Sequence, residues 1–544
     1  MVLKNSFNFI NEFFFYLINQ IRKLYLNSSL YNKKISKINN KVLYYKPSLK
    51  ILSCLIKYDK KKYNIEDFYL NSIWNNNKIT ESDYKKLHSF FWLFALDLKS
   101  SKKITQTIIL NWIENNENFN TKNWEIDTLS KRIISWISNS KLVYEDSTEE
   151  YKKKFNFVIN KQINHLINEI NRSELFDNKM IGCTAIILSG LSYNDEKILN
   201  IGLNLLKKIN KYTFDVQGFP KSRNLRQLIF YLKHFVLIRE LLKEAQNEIP
   251  SYLDESIFYL GQAYNYIWQS LKLSFLFNGN HESDHSDFDK YLKLHGYKFK
   301  NINNNEVGGY SYLKNKNISL IMDVGPSPEK KFSHTYQSGP LSFEMFFSGK
   351  KIITNSGFFQ NYKHQLSGIS KSTAAHSTLI LDNSSVNQFK KQNDGSALIE
   401  GGFKIIDKKI ISEKKYWKIS ASHDGYQKKY GTIHKRELEF FLDTNVLVGK
   451  DSLLKRKNFK SCNFEIRFHL HPASKVTKTQ DQSVVLIELE NSGWKFSCKD
   501  YLIDIETGLF FGKKNSFIEN KNIFISGTTQ TEDQNILWEI TKIS

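Results

Sequence analysis

The stretch from His334 to Asp382, HTYQSGPLSFEMFFSGKKIITNSGFFQNYKHQLSGISKSTAAHSTLILD, decides the fold. Its apolar residues come in short alternating runs: Leu341, Phe343 and Met345, then Ile352 and Ile353, then Leu379 and Leu381. Gly339, Gly349, Gly357 and Gly368 break them up, and alternation punctuated by glycine is the pattern of a β-meander. The interruption TAAHST at 373–378 is more polar than a plain β-scaffold needs, and it sets His376 among small residues.

The same period of two extends on both sides. It begins after Gly308 in GGYSYLKNKNISLIMDVG and returns in DTNVLVGKDSLL at 443–454 and SVVLIELENSGWKFSC at 483–498. Many short strands separated by turns predict an antiparallel β-sandwich. Upstream the period changes. After Thr80, which forms a capping-box pattern with Asp83, Leu87, Phe90, Phe91 and Phe94 recur at helical spacing and predict one buried helical face. Leu225, Leu228, Ile229, Leu232 and Val236 do the same after Ser222, as do Ile198, Ile201 and Leu205 after Asn194. Successive amphipathic helices predict packed helical hairpins, with toroid, solenoid and bundle all compatible with the periodicity. The polar stretch FNGNHESDHSD at 277–287 leads into the change of period, so the domain boundary is expected near residue 300, with a helical domain over 1–300 and a β-sandwich over 301–544.

A chain of 544 residues is too long for one ordinary core. With 41% hydrophobic and 14% aromatic residues it has ample material for burial. The formal charge of +23, from 78 basic and 55 acidic residues, suits an anionic partner: nucleic acid, an acidic lipid surface or an acidic polysaccharide. No nucleic-acid-binding motif accompanies it, so nucleic acid is not the expected partner. Cys54, Cys183, Cys462 and Cys498 lie far apart, without the spacing of a zinc knuckle or a disulfide scaffold. At the amino terminus the apolar run Phe13 to Ile18 is interrupted by polar residues and predicts a docking helix, with no visible signal peptide. No segment reaches the ~18 apolar residues that a membrane span requires.

Several stretches, in order, resemble the heparinase II/III-like family of polysaccharide lyases. They are GGYSYL at 308–313, MDVGPSP at 322–328, GPLSFEM at 339–345, TNSG at 354–357, STAAHSTL at 372–379, HDGY at 423–426, GTIHKR at 431–436 and RFHLHP at 467–472. In the helical half the likeness rests on GFPKSRN at 218–224 and FNG at 277–279. The resemblance implies an incomplete α/α toroid followed by an antiparallel β-sandwich, and cleavage of a uronate-containing acidic polysaccharide by β-elimination. It also implies the cell envelope or periplasm, while the lack of a visible signal leaves the cytoplasm open.

β-Elimination needs groups that neutralise the uronate carboxylate, a base for the α-proton and an acid for the leaving oxygen. The family positions give Tyr336 and His376 as proton-exchanging residues, and Arg223, Asn224, His434 and Arg436 as substrate-binding residues. His434 and Arg436 alternate on one strand and so share a face, either an anionic-ligand surface or a solvated one. His469 and His471 repeat that spacing. Relatives that hold zinc use an HxHxD-like run, a later Asp and the histidine of the AAHST-like motif. Here Thr335 to Gly339 fills the run, with Gln337 at the second histidine, and Asn355 replaces the later acid, so no metal site and no cofactor are expected. Rival readings are a non-catalytic acidic-glycan-binding or envelope-assembly protein on this fold, a nucleic-acid-binding protein and, last, a glycoside hydrolase.

Overall fold

The computed structural model of the chain describes residues 14, 17–37, 42–52, 54, 74, 79–96, 101–269, 272–300, 305–392, 394–490 and 492–543. Of the apolar run at Phe13 to Ile18, residues 13, 15 and 16 lie outside the described residues. The chain forms two compact units, residues 1–212 with 233–257, and residues 213–232 with 258–544.

The first unit is helical. Lys102–Asn116, Ile126–Ser138, Glu149–Glu169 and Phe176–Ser192 follow one another across short connections. Ser101 and Thr148 cap the first and third, their side chains accepting from backbone N–H groups of the opening turn, which fixes where each helix starts. Thr80 caps the earlier helix Glu81–His88 in the same way, accepting from Asp83 N. That helix is shorter than the apolar spacing predicts. Phe90 takes a left-handed conformation at φ 57°, and Phe91–Ala95 continues as a 3₁₀ turn. Burial of the Phe90 ring against Trp74, Trp112 and Trp136 outweighs helix continuation. The stripe after Ser222 lies on the helix Leu225–Glu244, and its five apolar residues are buried. In Glu196–Thr213 Leu205 is buried, but Ile201 is exposed while Leu206 and Ile209 face the core.

The second unit holds two large antiparallel sheets. One orders its strands as Glu306–Val307, Tyr310–Lys314, Ile318–Asp323, Phe343–Phe347, Lys350–Thr354, Asn463–Leu470, Ile518–Thr528 and Ile503–Phe510, with Leu379–Leu381 also paired to Asn463–Leu470. The other runs Lys475–Lys478, Val484–Leu489, Ser492–Cys498, Gln534–Lys542, Val446–Lys455, Thr432–Phe441, Tyr416–His423 and Ile405–Ser412. Their inward residues, among them Leu320, Phe343, Leu438, Phe464 and Trp538, form one continuous apolar core.

An ionic group sits inside that core. Thr432–Phe441 presents His434, Arg436, Leu438 and Phe440 inward, and Arg436 lies opposite Asp451 on the neighbouring strand. Asp451 accepts from Arg436 Nε at 2.8 Å and Nη2 at 3.0 Å, from His434 Nε2 at 2.6 Å and from Trp538 Nε1 at 2.8 Å. Arg436 Nη1 reaches toward the other sheet and donates to Leu341 O at 3.1 Å and Ser377 O at 2.7 Å. The predicted shared face of His434 and Arg436 is therefore real, but it is neither a ligand surface nor a solvated one: both side chains are fully buried and committed to protein acceptors. Apolar partners on the same strand face carry them into the interior.

Burial opposes the charge on Asp451, but Arg436 and then His434 more than offset it and hold the carboxyl below its usual range. A carboxylate with a depressed pKa contributes stability above its unfolded-state value, and that stability is lost as pH falls through the folded value. Asp451→Asn leaves Arg436 buried without a counter-charge and is expected to lower the unfolding free energy at neutral pH by about 3–5 kcal/mol. Urea unfolding of the variant beside wild type checks this, and an unchanged midpoint would contradict it.

Candidate functional site

Within the second unit, the stretches GFPKSRN, FNG, MDVG, HTYQSG and STAAHST converge on one buried polar cluster. Arg223 is at its centre. Its guanidinium donates to Gly308 O at 3.1 Å, Gly309 O at 3.0 Å, Gly325 O at 3.2 Å and Pro326 O at 3.0 Å, and it pairs with the Asp323 carboxylate. Burial opposes the charge, and Asp323 restores it, so Arg223 stays protonated. The residue itself is left-handed, at φ 58°, a conformation that costs energy for a non-glycine side chain. Its own carbonyl accepts from Tyr310 Oη at 2.6 Å.

Asn224 starts the helix Leu225–Glu244. Its Oδ1 accepts from Arg226 N and Gln227 N at 2.8 and 3.1 Å, and its Nδ2 donates to Thr335 Oγ1 at 2.7 Å. Arg223, proposed to receive a substrate carboxylate, thus has its donors taken by protein acceptors, and Asn224 has one of its two amide N–H groups taken. Asn278 adds a bridge, with Nδ2 donating to Tyr310 Oη and to Asp323 Oδ2. Gly279 lets the chain pass: a Cβ there would lie 2.4 Å from Asn224 Nδ2 and 2.8 Å from Thr335 Cβ.

The family's zinc positions do not fit a metal in this chain. Gln337 Oε1 accepts from Gly279 N at 2.9 Å, while Nε2 donates to Gly357 O and Ser370 O at 2.9 and 2.6 Å, so the amide is spent on main chain. At the acid's position Gly339 offers no ligand, and a Cβ there would meet the His376 ring at 2.5 Å. Asn355 turns its Oδ1 to Ser377 N at 2.9 Å. His469 is fixed by Ser356 and Ala374, whereas His471 turns toward Glu282. Among the described residues no group of three metal-ligating side chains comes together.

His376 and Tyr336 are different. His376 Nδ1 lies 2.9 Å from Ser372 O, so it carries the proton, and Nε2 is left as a lone-pair acceptor without a hydrogen-bond partner. Burial lowers its pKa to about 4, which keeps the ring neutral at pH 7. The Tyr336 hydroxyl also has no partner, and burial, followed by the Asp323 charge, holds its pKa well above the usual phenol value. Asn355 Nδ2 in the same cluster is also without a partner, so what distinguishes His376 and Tyr336 is that their unpaired atoms can exchange a proton. Tyr336 packs against Ile399 and Phe403, with Val386 and Phe389 beside them. Val386 and Phe389 also line a groove of about 1750 Å³, whose rim carries Lys428, Lys429, Arg456, Lys457 and Lys460 against Glu400 and Asp424. That volume exceeds the ~300–1,000 Å³ of a small-molecule site and suits a polymer segment.

Lys371 is a participant that sequence reading missed. It is buried, and its Nζ donates to His334 O and Ala397 O, both at 2.6 Å, so that a third N–H is present only when the amine is protonated. Its only sequence signal is its position at the end of Gln365–Lys371, one residue before STAAHST. Asp323 was missed too, although an acid closing the apolar strand Ile318–Asp323 is a sign of a buried partner. Tyr264 and Tyr266 are core residues, hydrogen-bonded to Asp289 and Tyr312.

Burial lowers the Lys371 pKa to about 7. Between about 7 and the ordinary lysine value of about 10.4 the unfolded chain binds a proton that the folded chain does not, so stability rises with pH across that window. Urea unfolding of wild type and Lys371→Met at about pH 6.5 and about pH 9.5 is expected to show wild type gaining on the variant at the higher pH, and parallel changes would contradict this.

Residues 300–539 match the family model described as Heparinase II/III-like, C-terminal. The chain is similar to heparan sulfate lyase HepC from Pedobacter heparinus, at 14% identity and a TM-score of 0.66, over 95% of this chain and 88% of that one. It is likewise similar to a heparinase III structure, at 15% identity and a TM-score of 0.70, over 94% and 88%. The fold is thus the toroid plus β-sandwich of those structures. A curated relative, FtsZ-localized protein C of Caulobacter vibrioides, is 26% identical over 260 residues, 45% of this chain and 44% of that protein, so the match spans less than half of the relative's length.

Proposed function

From the match of residues 300–539 to the heparinase II/III-like family model and the shared fold, we propose that the chain is a polysaccharide lyase that cleaves a uronate-containing acidic polysaccharide by β-elimination. One observation carries the reading: His376 Nε2 and the Tyr336 hydroxyl are buried, unpaired and in opposite protonation roles. The neutral imidazole takes the proton α to the uronate carboxylate, the C–O bond on the neighbouring carbon breaks as the ring double bond forms, and the tyrosine hydroxyl protonates the departing glycosidic oxygen. Carboxylate neutralisation falls to Lys371 in its protonated form, which an incoming carboxylate favours and which keeps a third N–H beyond its two main-chain bonds, because the Arg223 guanidinium is spent within the protein and His434 and Arg436 are buried in the sandwich core. Both proton-exchanging atoms are covered in this conformation, so the reaction requires opening of the layer formed by Val386 and Phe389 beside the groove.

A second reading is favoured by a separate observation. The saturation of Arg223 and the commitment of Gln337 to main chain are what a protein on this fold would show if it binds an acidic glycan without cleaving it. Incubation with a panel of uronate polysaccharides, followed by the ultraviolet absorbance of the unsaturated uronate, separates the two. The lyase reading expects a rising signal that His376→Ala and Tyr336→Phe each cut by roughly a hundredfold or more. Binding without signal would replace it with the glycan-binding reading.

A further inference from the structure

Among the described residues, the first unit carries a helix face of exposed apolar side chains. Residues 17–26 are helical, and Leu17, Ile18, Ile21, Leu24 and Tyr25 are 42%, 55%, 58%, 74% and 39% exposed. Their spacing of i, i+1, i+4, i+7 and i+8 gathers them into one stripe along the helix. Single exposed apolar residues need no explanation, but a contiguous stripe marks an interaction surface. The helix is held on another flank, where Arg22 pairs with Glu169 and Leu26 packs on the buried cluster of Tyr31, Ile35 and Trp124. The stripe therefore stays presented while the helix is anchored. Leu30, at the start of the helix Ser29–Ile35, extends the apolar surface at 72% exposure.

The sequence segment that carries this stripe is one-sided in charge. Between Glu12 and Asp59 the sequence has nine basic residues and no acidic one: Arg22, Lys23, Lys33, Lys34, Lys37, Lys41, Lys46, Lys50 and Lys57. Lys23, Lys33, Lys34 and Lys37 are exposed and make no ion pair among the described residues. Among the described residues no helix is long and apolar enough to cross a membrane.

We propose that this segment docks the chain onto an anionic lipid bilayer, with the helix lying in the plane of the interface. Leu17, Ile18, Ile21 and Leu24 enter the boundary between headgroups and acyl chains, and Lys23, Lys33, Lys34 and Lys37 meet the headgroup charge. A bilayer supplies both what the stripe lacks and what the lysines lack. An acidic polysaccharide offers little to a row of leucine and isoleucine, and a second copy of the chain would bring its own exposed Lys23, Lys33, Lys34 and Lys37 against the same four. The proposal is independent of whether the second unit cleaves a glycan.

The test is co-sedimentation of the full chain with phosphatidylcholine vesicles, with and without phosphatidylglycerol, across a salt series. Three proteins are compared: wild type, Ile21→Asn/Leu24→Asn and Lys33→Glu/Lys34→Glu/Lys37→Glu. All substituted side chains are exposed, and matching thermal unfolding confirms that the variants are folded. Wild type is expected to pellet with phosphatidylglycerol vesicles and to release as salt rises. The apolar variant should bind weaker by roughly tenfold or more. The charge-reversed variant should lose its preference for phosphatidylglycerol. The proposal is overturned if wild type stays in the supernatant, or if both variants pellet as wild type does. It is also overturned if wild type is a dimer that ignores vesicles and falls apart on Ile21→Asn/Leu24→Asn, which would assign the stripe to a second copy.

Discussion

The buried pair of Arg436 and Asp451 is the constraint on which the second unit depends. Two charges taken from water into an apolar core are costly unless their donors and acceptors are answered, and here both carboxylate oxygens and all three guanidinium nitrogens have partners. The geometry links the core to the chemistry. Arg436 holds the carbonyl of Ser377, the residue that follows His376, and Ser377 in turn is fixed by Asn355, Thr354 and His469 N. The imidazole proposed as base is therefore aimed by a salt bridge in the sandwich interior, which makes Arg436 a positioning residue.

Arg223 plays the corresponding part at the other end of the polar cluster. It ties the turns at Gly308–Gly309 and Gly325–Pro326 to the segment before the helix Leu225–Glu244, and through Tyr310 and Asn278 it reaches the loop of Gln337. What would be a zinc site in some relatives is in this chain a lattice of amide and main-chain hydrogen bonds. Gln337 uses its donors and acceptor on the backbone, so rigidity comes from neutral groups.

The β-half of the fold was legible in the sequence because strand alternation there is regular and its glycines mark the turns. The alternation also placed His434 and Arg436 on one face, but it could not say which face: a strand with two polar residues followed by Leu438 and Phe440 reads equally as an outer or an inner surface until its partner Asp451 is seen. The helical half was legible where caps and stripes agree, as at Asn224 and Leu225. It misled at Phe90, where the packing of aromatic rings far apart in sequence overrode the local period. His376 and Tyr336 were found through family position. Lys371 and Asp323 were not, since a buried charge declares itself by its partners, and those lie tens of residues away.

The most direct measurement of the central claim is mass spectrometry of oligosaccharides released from a uronate polysaccharide. The account predicts fragments with an unsaturated terminal uronate, lighter by one water than hydrolysis products, and their disappearance in His376→Ala. Saturated fragments would mean hydrolysis, and an intact polymer recovered from a folded, binding-competent protein would mean that this lyase fold serves recognition alone.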